Sequence, residues 1–273
     1  MKIVSFNVNS LRQRLHQLQS VIDKHAPQFI GLQETKVQDH EFPLEAVEAM
    51  GYRVIFAGQK THYGVALMSR TDCLEPCYGF PGDEADAQKR FIGGEFDIDG
   101  ERLLIFNGYF PQGESRDHAI KFPAKQRFYA DLVRFLGNWD LRDVKLVVMG
   151  DYNIAPQDID IGIGADNAKR WLKTGKASFL PEEREWFQQL SGLGLYDGFR
   201  LCHATVDDLF SWFDYRSRGF EREPKRGLRI DHLLVSELLR PRVVDAGVDY
   251  DIRAMEKPSD HAPVWIELDL ERS

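Results

Sequence analysis

The chain has 273 residues, of which 43% are hydrophobic and 29% charged, a composition typical of a globular protein. No window approaches the roughly 18 consecutive apolar residues of a membrane span, and residues 1–7 turn polar too quickly for a signal peptide. Cys73, Cys77 and Cys202 are an odd number of cysteines and indicate no disulfide framework, so we expect a cytoplasmic protein.

The net charge of −8 argues weakly against nonspecific binding to nucleic acid, because the distribution of charge matters more than its sum. Basic residues cluster at 89–90, 169–176 and 216–229. Each cluster is either a solvated face or part of a binding surface. Cys73 and Cys77 lack a second pair of metal ligands, which favours idle thiols over a metal site.

In the first half of the chain, we predict strands and two helices. Apolar residues recur at helical spacing from Leu11 to Ile22 until Pro27 ends the pattern, and a shorter helix lies around 44–50. Asp99 and Gly100 indicate a hairpin. The predicted strands are 2–6, 29–32, 52–56, 65–69, 91–97 and 102–106.

In the second half, a helix with one apolar face runs from Phe128 to Trp139, and another opens at Pro181. Leu146 to Met149 form a continuous apolar run, typical of a strand that is buried on both faces. We predict that residues 156–178 are irregular and basic, and that 216–227 form a charged loop. The remaining predicted strands are 211–215, 228–235 and 264–268.

Polar side chains follow or begin many of these strands. They would meet at one edge if the strands lie side by side, where functional sites tend to form. Because they span positions 7 to 261, we predict a single domain, residues 1–273. The eight residues are Asn7, Glu34, Tyr109, Asp151, Asn153, Asp231, Asp260 and His261.

The chemistry of this set is narrow, although each residue alone could be a turn, cap or packing residue. Carboxylate and amide oxygens suit magnesium or manganese better than zinc, and one histidine beside aspartates suits orientation or proton transfer. Gly162 and Gly164 are not followed by a P-loop lysine, and no serine lies in a nucleophile elbow. Metal-assisted attack of water on a phosphate ester remains.

Several runs resemble motifs of the exonuclease III family, in its bacterial branch. They are Leu-Gln-Glu-Thr-Lys at 32–36, the run 107–118 that contains Gln-Gly-Glu-Ser, Gly-Asp-Tyr-Asn at 150–153, Ser-Trp-Phe-Asp-Tyr-Arg at 211–216 and Pro-Ser-Asp-His-Ala-Pro-Val at 258–264. The Ser-Asp-His motif alone is weak, because lipid and inositol phosphatases and deoxyribonuclease I share it. The longer runs make the likeness specific, and together they cover nearly the whole chain.

This resemblance implies an α/β fold, a four-layered α/β sandwich with two mixed β-sheets flanked by helices. It implies a magnesium-dependent apurinic/apyrimidinic endonuclease with 3′-to-5′ exonuclease and 3′-phosphatase or 3′-phosphodiesterase activity, leaving a 3′-hydroxyl and a 5′-phosphate. Manganese is a plausible substitute for magnesium. The implied substrate is double-stranded DNA with abasic sites or 3′ ends. We expect no membrane partner and a monomer.

The resemblance also implies a role for each site residue. Glu34 would ligate the metal, helped by Asn7 and Asp260. Among the residues implied in catalysis, Asp151 would activate the attacking water and Asn153 would position it. Tyr109 would touch the scissile phosphate. His261 would act there too, oriented by Asp231. Those implied in substrate binding are Trp212, Leu228 and Ile230 at an apolar pocket for a base-free sugar, and Arg90, Gln112 and Lys121 at the DNA backbone.

Two other functions are open to the same sequence. A phosphoesterase acting on inositol or sphingolipid head groups would need an apolar loop facing the membrane, and the sequence shows none. A catalytically inactive DNA-binding relative would carry a broken metal site, whereas every expected ligand is present.

Overall fold

A computed structural model describes residues 1–272. These residues form twelve strands, seven α-helices and several short 3-10 helices. The strands are β1 Lys2–Asn7, β2 Phe29–Gln33, β3 Arg53–Ala57, β4 Val65–Ser69, β5 Cys73–Tyr78, β6 Phe91–Ile98, β7 Glu101–Tyr109, β8 Leu146–Asp151, β9 Leu195–Asp197, β10 Asp231–Ser236, β11 Val243–Val248 and β12 Val264–Leu268. The helices are α1 Leu15–His25, α2 Leu44–Ala49, α3 Lys121–Leu136, α4 Ala165–Thr174, α5 Pro181–Gly192, α6 Gly198–Cys202 and α7 Tyr250–Arg253.

The strands form two six-stranded sheets, in the orders β11-β12-β1-β2-β4-β3 and β5-β6-β7-β8-β10-β9. Each sheet is mixed, because β1 pairs parallel with β2 and β7 with β8, whereas the other pairs are antiparallel. The predicted α/β sandwich of two mixed sheets flanked by helices is confirmed.

Alternation along the strands builds the layers. On β8, Val147 and Met149 lie in the apolar core between the sheets, whereas Leu146 and Val148 pack into the core beneath α3 and α5. Both faces of β8 are therefore covered, as its continuous apolar run predicts.

The side-chain amide of Asn107 links the two sheets near the strand ends that carry the predicted site residues. Asn107 of β7 donates through Nδ2 to the carbonyl oxygens of Leu32 and Ala66 in the other sheet, each at 2.9 Å. Its Oδ1 accepts from Nε2 of Gln33 at 2.6 Å. Gly31 leaves the room for this contact, since a Cβ there would lie 2.8 Å from the Asn107 Oδ1. The ends of β2 and β7 are thus fixed relative to each other.

Three predictions about secondary structure were wrong. Residues 211–215 are not a strand: Trp212 forms only isolated bridges to Leu228 and His261. The strand predicted at 228–235 begins at Asp231. The segment 156–178 is not irregular throughout, because it contains a 3-10 helix, Asp158–Asp160, and α4.

The sequence prediction also missed short and edge strands. β5 is an edge strand whose side chains are mostly exposed, and it contains Pro76, so it lacks an apolar run. β9 has three residues, and β11 is an edge strand with a register shift. The part of the chain that the structure describes has no helix with the length and apolarity that crossing a membrane requires.

Candidate active site

The polar strand ends meet where the two sheets adjoin, not along the edge of one sheet. Asn7 ends β1 in the first sheet, and Asp151 ends β8 in the second. The Asn7 Nδ2 donates to Asp151 Oδ2 at 2.9 Å and to Glu34 Oε1 at 3.0 Å. The two carboxylates are thereby brought together from different sheets.

Glu34, Asp151 and His261 form the most compact group of candidate metal ligands. One ligand atom from each lies within 4.8 Å of the others. Asn7 turns its amide nitrogen toward these carboxylates, and its Oδ1 accepts from the Asn9 backbone. In this structure Asn7 therefore orients the carboxylates; its predicted role as a ligand stays a prediction.

Asp260, the third predicted ligand, lies at the rim of this group. Its Oδ1 accepts from Nδ2 of Asn9 at 2.8 Å, and its Oδ2 accepts from Nε1 of Trp212 at 3.1 Å. Asp260 therefore connects the candidate metal ligands to the indole that was predicted to contact the sugar.

His261 is held between two carboxylates. Its Nδ1 lies 2.8 Å from Asp231 Oδ2, and its Nε2 lies 3.6 Å from Asp151 Oδ2. Burial would lower the pKa of His261, but the charges of Asp231 and Asp151 outweigh it and raise the pKa above its ordinary value. A raised pKa favours the protonated imidazole, and the contact with Asp231 fixes the ring; that this orientation serves catalysis stays a prediction.

Asp151 is almost fully buried, and burial raises its pKa. His261 opposes this rise, whereas Asp231 and Glu34 add to it. Asn153 follows in a left-handed backbone conformation, φ 52°, which lets its N–H donate to Asp151 Oδ1 at 3.0 Å. A carboxylate with a raised pKa is suited to accepting a proton near neutral pH.

The balance of charge shows whether a metal ion would fit this site. The carboxylates outnumber the positive groups. Four carboxylates surround the site, against three positive groups: Lys36, 3.0 Å from Glu34, His261, and Lys176 in the lining of the cavity. Among the described residues, Asp231 Oδ1 is a buried oxygen that lacks a hydrogen-bond partner. Excess negative charge on oxygen donors fits a hard divalent cation.

Tyr109 lies at the same site and is supported by Arg90. The Arg90 guanidinium lies over the rings of both Tyr63 and Tyr109, 4.3 and 4.6 Å from their centroids, and donates to the Tyr109 carbonyl. Burial, together with the nearby Glu34, raises the pKa of Tyr109 well above its ordinary value, so the phenol stays protonated. Arg90, predicted at the DNA backbone, is largely buried behind Tyr109.

These side chains line one cavity of about 240 Å³, called here the active-site cavity. Trp212, Ile230 and Gln112 contribute to its wall, and their roles in substrate binding stay predictions. Leu228 is buried behind this wall, 1% exposed, and Lys121 pairs with Glu114 outside it. The lining residues are Glu34, Tyr109, Gln112, Asp151, Asn153, Trp171, Lys176, Ser178, Trp212, Ile230, Asp260 and His261.

Sequence reasoning assigned no individual role to four residues at this site, Lys36, Trp171, Lys176 and Ser178. Lys36 contacts Glu34 and is the last residue of the Leu-Gln-Glu-Thr-Lys motif, so the motif could have indicated that it belongs to the site. Trp171 and Lys176 line the cavity from α4 and the turn after it. They lie in the segment that was predicted to be irregular, where no pattern marks a wall of the site.

Two mixed sheets with carboxylates, an imidazolium and a phenol at their common edge define a metal-dependent phosphoesterase. The sequence model of the Endonuclease/Exonuclease/phosphatase family matches residues 4–261, and the chain belongs to that family. The resemblance found in the sequence is confirmed by this match and by the relatives that follow.

Three relatives make the likeness specific. Exodeoxyribonuclease III of Haemophilus influenzae is 56% identical over 268 residues, 98% of this chain and 100% of that protein. A 3′ phosphatase from Neisseria, solved bound to a product DNA hairpin, has a TM-score of 0.88 and 39% identity, covering 98% of this chain and 99% of that one. An AP endonuclease from Archaeoglobus fulgidus has a TM-score of 0.88 and 32% identity, covering 99% and 100%.

Proposed function

We propose that this chain is a DNA-repair phosphodiesterase that incises DNA at abasic sites and removes nucleotides and blocking groups from 3′ ends. The class, a hydrolytic nuclease of DNA repair, rests on the relatives at 32–56% identity. The observation that carries the finer proposal is one cavity in which Glu34, Asp151 and His261 face the apolar side chains Trp212 and Ile230.

We further propose that the ion is Mg²⁺, with Mn²⁺ as a substitute. Glu34 would hold it, with Asp260 and Asn7 nearby, because their oxygens suit a hard cation. When bound, the ion would polarise a phosphate oxygen and favour deprotonation of water.

The side chains supply the remaining steps. Asp151 accepts the proton of the attacking water, and Asn153, whose N–H is bonded to Asp151, positions that water. The water oxygen bonds to phosphorus while the bond from phosphorus to the 3′ oxygen breaks, leaving a 3′-hydroxyl and a 5′-phosphate. His261 and the Tyr109 phenol donate to the phosphate oxygens and stabilise the charge that develops there.

The apolar wall explains selection of an abasic site. Trp212 is fixed by its bond to Asp260, and Ile230 packs in the same small cluster as the buried Leu228. This surface fits a bare deoxyribose and leaves no room on its own side for an attached base. Extruding a nucleotide costs least at a lesion that is already unpaired.

Gln112 and Lys121 are proposed to contact the DNA backbone. Gln112 lines the cavity, and Lys121 opens α3 on the exposed surface. Arg90 is proposed to act through Tyr109, whose ring it supports. We also propose a monomer that works in the cytoplasm, where the DNA is, and one domain over 1–273, because both sheets contribute to the site.

Cleavage of a labelled duplex with one abasic site tests this proposal. The reaction is run with Mg²⁺, with Mn²⁺ and with a chelator, beside an intact blunt-ended duplex. The expected result is metal-dependent incision at the lesion, with a ladder from the blunt end. Absence of cleavage of either duplex with both metals would contradict the proposal.

A further inference from the structure

A second cavity lies beside the active-site cavity and shares three of its walls. Its volume is about 150 Å³, and Trp171, Lys176 and Trp212 line both cavities. We call it the side cavity. An enclosed apolar cavity of about this volume holds one six-membered ring; the side cavity has a polar lining and opens to solvent, so the second ring of a purine would extend beyond it. The other residues of the side cavity are Ile163, Asn167, Arg170, Asp214, Ser217, Arg222 and Arg226.

The side cavity carries positive charge that the protein does not neutralise. Arg170, Lys176, Arg222 and Arg226 face one carboxylate, Asp214. Within residues 1–272, none of these four cations forms an ion pair within 4.0 Å. In a chain of net charge −8, four unpaired cations at one cavity indicate an anionic or electron-rich ligand.

Its aromatic walls are held in place by packing. The Trp171 ring stacks on Phe179 with centroids 5.6 Å apart and planes 8° from parallel, and Lys176 Nζ lies 3.7 Å from the Trp171 centroid. Trp212 is anchored through its indole nitrogen to Asp260. Phe179 and Lys176 both pack on the Trp171 ring, so the fixed indole of Trp212 is the surface on which a nucleobase would stack, beside the guanidinium groups of the side cavity.

We propose that the side cavity receives the base of the 3′-terminal nucleotide during exonucleolytic cleavage. This inference rests on the proposed function. The active-site cavity fits a bare sugar, so the terminal nucleotide of an intact strand needs separate room for its base. The side cavity provides that room on the far side of Trp212, so one catalytic centre serves both an abasic site and a base-bearing end.

The lining suits every base. Arg170, Arg222 and Arg226 can donate to the carbonyl and ring-nitrogen acceptors of the bases, and Asp214 can accept from their amino groups. Stacking on an indole discriminates little, because every base presents a π-face. The side cavity would therefore support removal of all four nucleotides.

The test compares two rates in three variants: nucleotide release from a blunt duplex and incision of an abasic duplex. Ser217→Trp fills the side cavity from an exposed loop, and Arg226→Gln removes one of its cations. Lys169→Gln is the control, because it removes a neighbouring cation of α4 that does not line the side cavity. We expect Ser217→Trp to lower the ratio of release to incision by about fivefold or more, the scale of one lost stacking contact, Arg226→Gln to lower it about twofold or more, and Lys169→Gln to leave it unchanged.

A smaller fall in both Ser217→Trp and Arg226→Gln, or an equal loss of both activities, overturns the proposal and makes the basic lining a contact for the DNA backbone. If Ser217→Trp does not fold, the ratio of release to incision in Arg226→Gln decides whether the proposal holds. Quenching of tryptophan fluorescence gives a second readout: dGMP should bind the parent more tightly than deoxyribose 5-phosphate does, and Ser217→Trp should remove that difference. A parent enzyme without either activity would instead refute the proposed function.

Discussion

Two buried charged clusters lie next to each other in this molecule, and they differ in charge balance. The front cluster is Glu34, Asp151, Asp231 and His261. The rear network is Asp160, Asp197, Arg200, Arg229 and His232. One residue separates Arg229 from Asp231 in the chain, and three members of the front cluster, Glu34, Asp151 and His261, line the active-site cavity.

In the rear network, the positive and negative charges balance. Arg229 donates to Asp160 at 2.7 Å and to Asp197 at 2.6 Å, and it contacts His232 at 3.0 Å. Arg200 also pairs with Asp160, so two guanidinium groups match two carboxylates. Burial would raise the pKa of Asp197, but Arg229 and His232 outweigh it and lower the pKa well below its ordinary value.

The front cluster has the opposite balance. Burial and neighbouring carboxylates raise the pKa of Asp151, and a buried oxygen of Asp231 lacks a partner among the described residues. Burial of charge therefore does not by itself mark a functional site. Uncompensated carboxylates at a cavity do, because such an arrangement is costly until a cation or substrate completes it.

The largest expected effect is on turnover, in Glu34→Ala. Removing the proposed metal ligand should lower the rate of abasic incision by about 10³-fold or more, about 4 kcal/mol. The fold should persist, because the side chain faces the cavity. Steady-state kinetics and circular dichroism measure the two effects, with exposed Glu45→Ala as the control. Unchanged turnover with normal dependence on Mg²⁺ would exclude Glu34 as a ligand.

Arg229→Met should have the largest effect on stability. It leaves Asp160 and Asp197 buried without their main partner, which typically costs about 3–5 kcal/mol. Urea unfolding measures the loss, and Arg142→Met, which breaks an exposed pair with Asp140, should show no measurable change. If both variants unfold alike, the rear network does not stabilise the fold.

Trp212→Ala should have a smaller effect, confined to how the DNA is bound. Loss of the indole should lower abasic incision relative to internal incision of an undamaged strand by about tenfold, the scale of one lost apolar contact. Because Trp212 also lines the side cavity, nucleotide release from 3′ ends should fall as well. The Mg²⁺ dependence should stay as in the parent. Trp212→Phe, which retains an aromatic face, should recover most of the selectivity. Equal rates of abasic incision in the parent and Trp212→Ala would contradict the proposal that Trp212 forms a pocket for the base-free sugar.

The smallest expected effect is a pH dependence of stability that comes from Asp197. Its pKa is lower in the folded than in the unfolded protein, so protons bind the unfolded chain first and stability falls as pH drops below about 4. Asp197→Asn removes this contribution, so the stability gap between parent and variant should narrow from pH 6 to pH 3. A gap that stays constant in urea titrations would contradict the assignment.

The sequence predicted those parts of the site that follow from local pattern. The apolar run before Gly150 predicted β8, and Asp151 and Asn153 followed at its end. Gly150 is itself required, because a Cβ there would lie 1.9 Å from the Gly108 carbonyl oxygen. The contact of His261 with Asp231 was implied only by the family resemblance, because no local pattern joins positions 231 and 261.

Features that depend on distant contacts were not predictable in this way. The position of Arg90 over the rings of Tyr63 and Tyr109 depends on three separate segments. α4 carries few apolar residues, and its Trp171 packs on Phe179 rather than on a sheet, so periodicity did not reveal it. The charge balance that separates the front cluster from the rear network exists only after both sheets have come together.

Equilibrium unfolding of the parent and Asp151→Asn, in chelator and in Mg²⁺, tests the difference between the clusters most directly. If the front cluster holds an excess of buried carboxylate, Asp151→Asn should unfold at a higher urea concentration than the parent in chelator. Mg²⁺ should then stabilise the parent, by about 2.7 kcal/mol at a hundredfold excess over its dissociation constant. It should stabilise the variant less, because the variant keeps the proposed ligand Glu34 but carries less negative charge at the site. A variant that is less stable than the parent in chelator, with no effect of Mg²⁺ on the parent, would contradict the account.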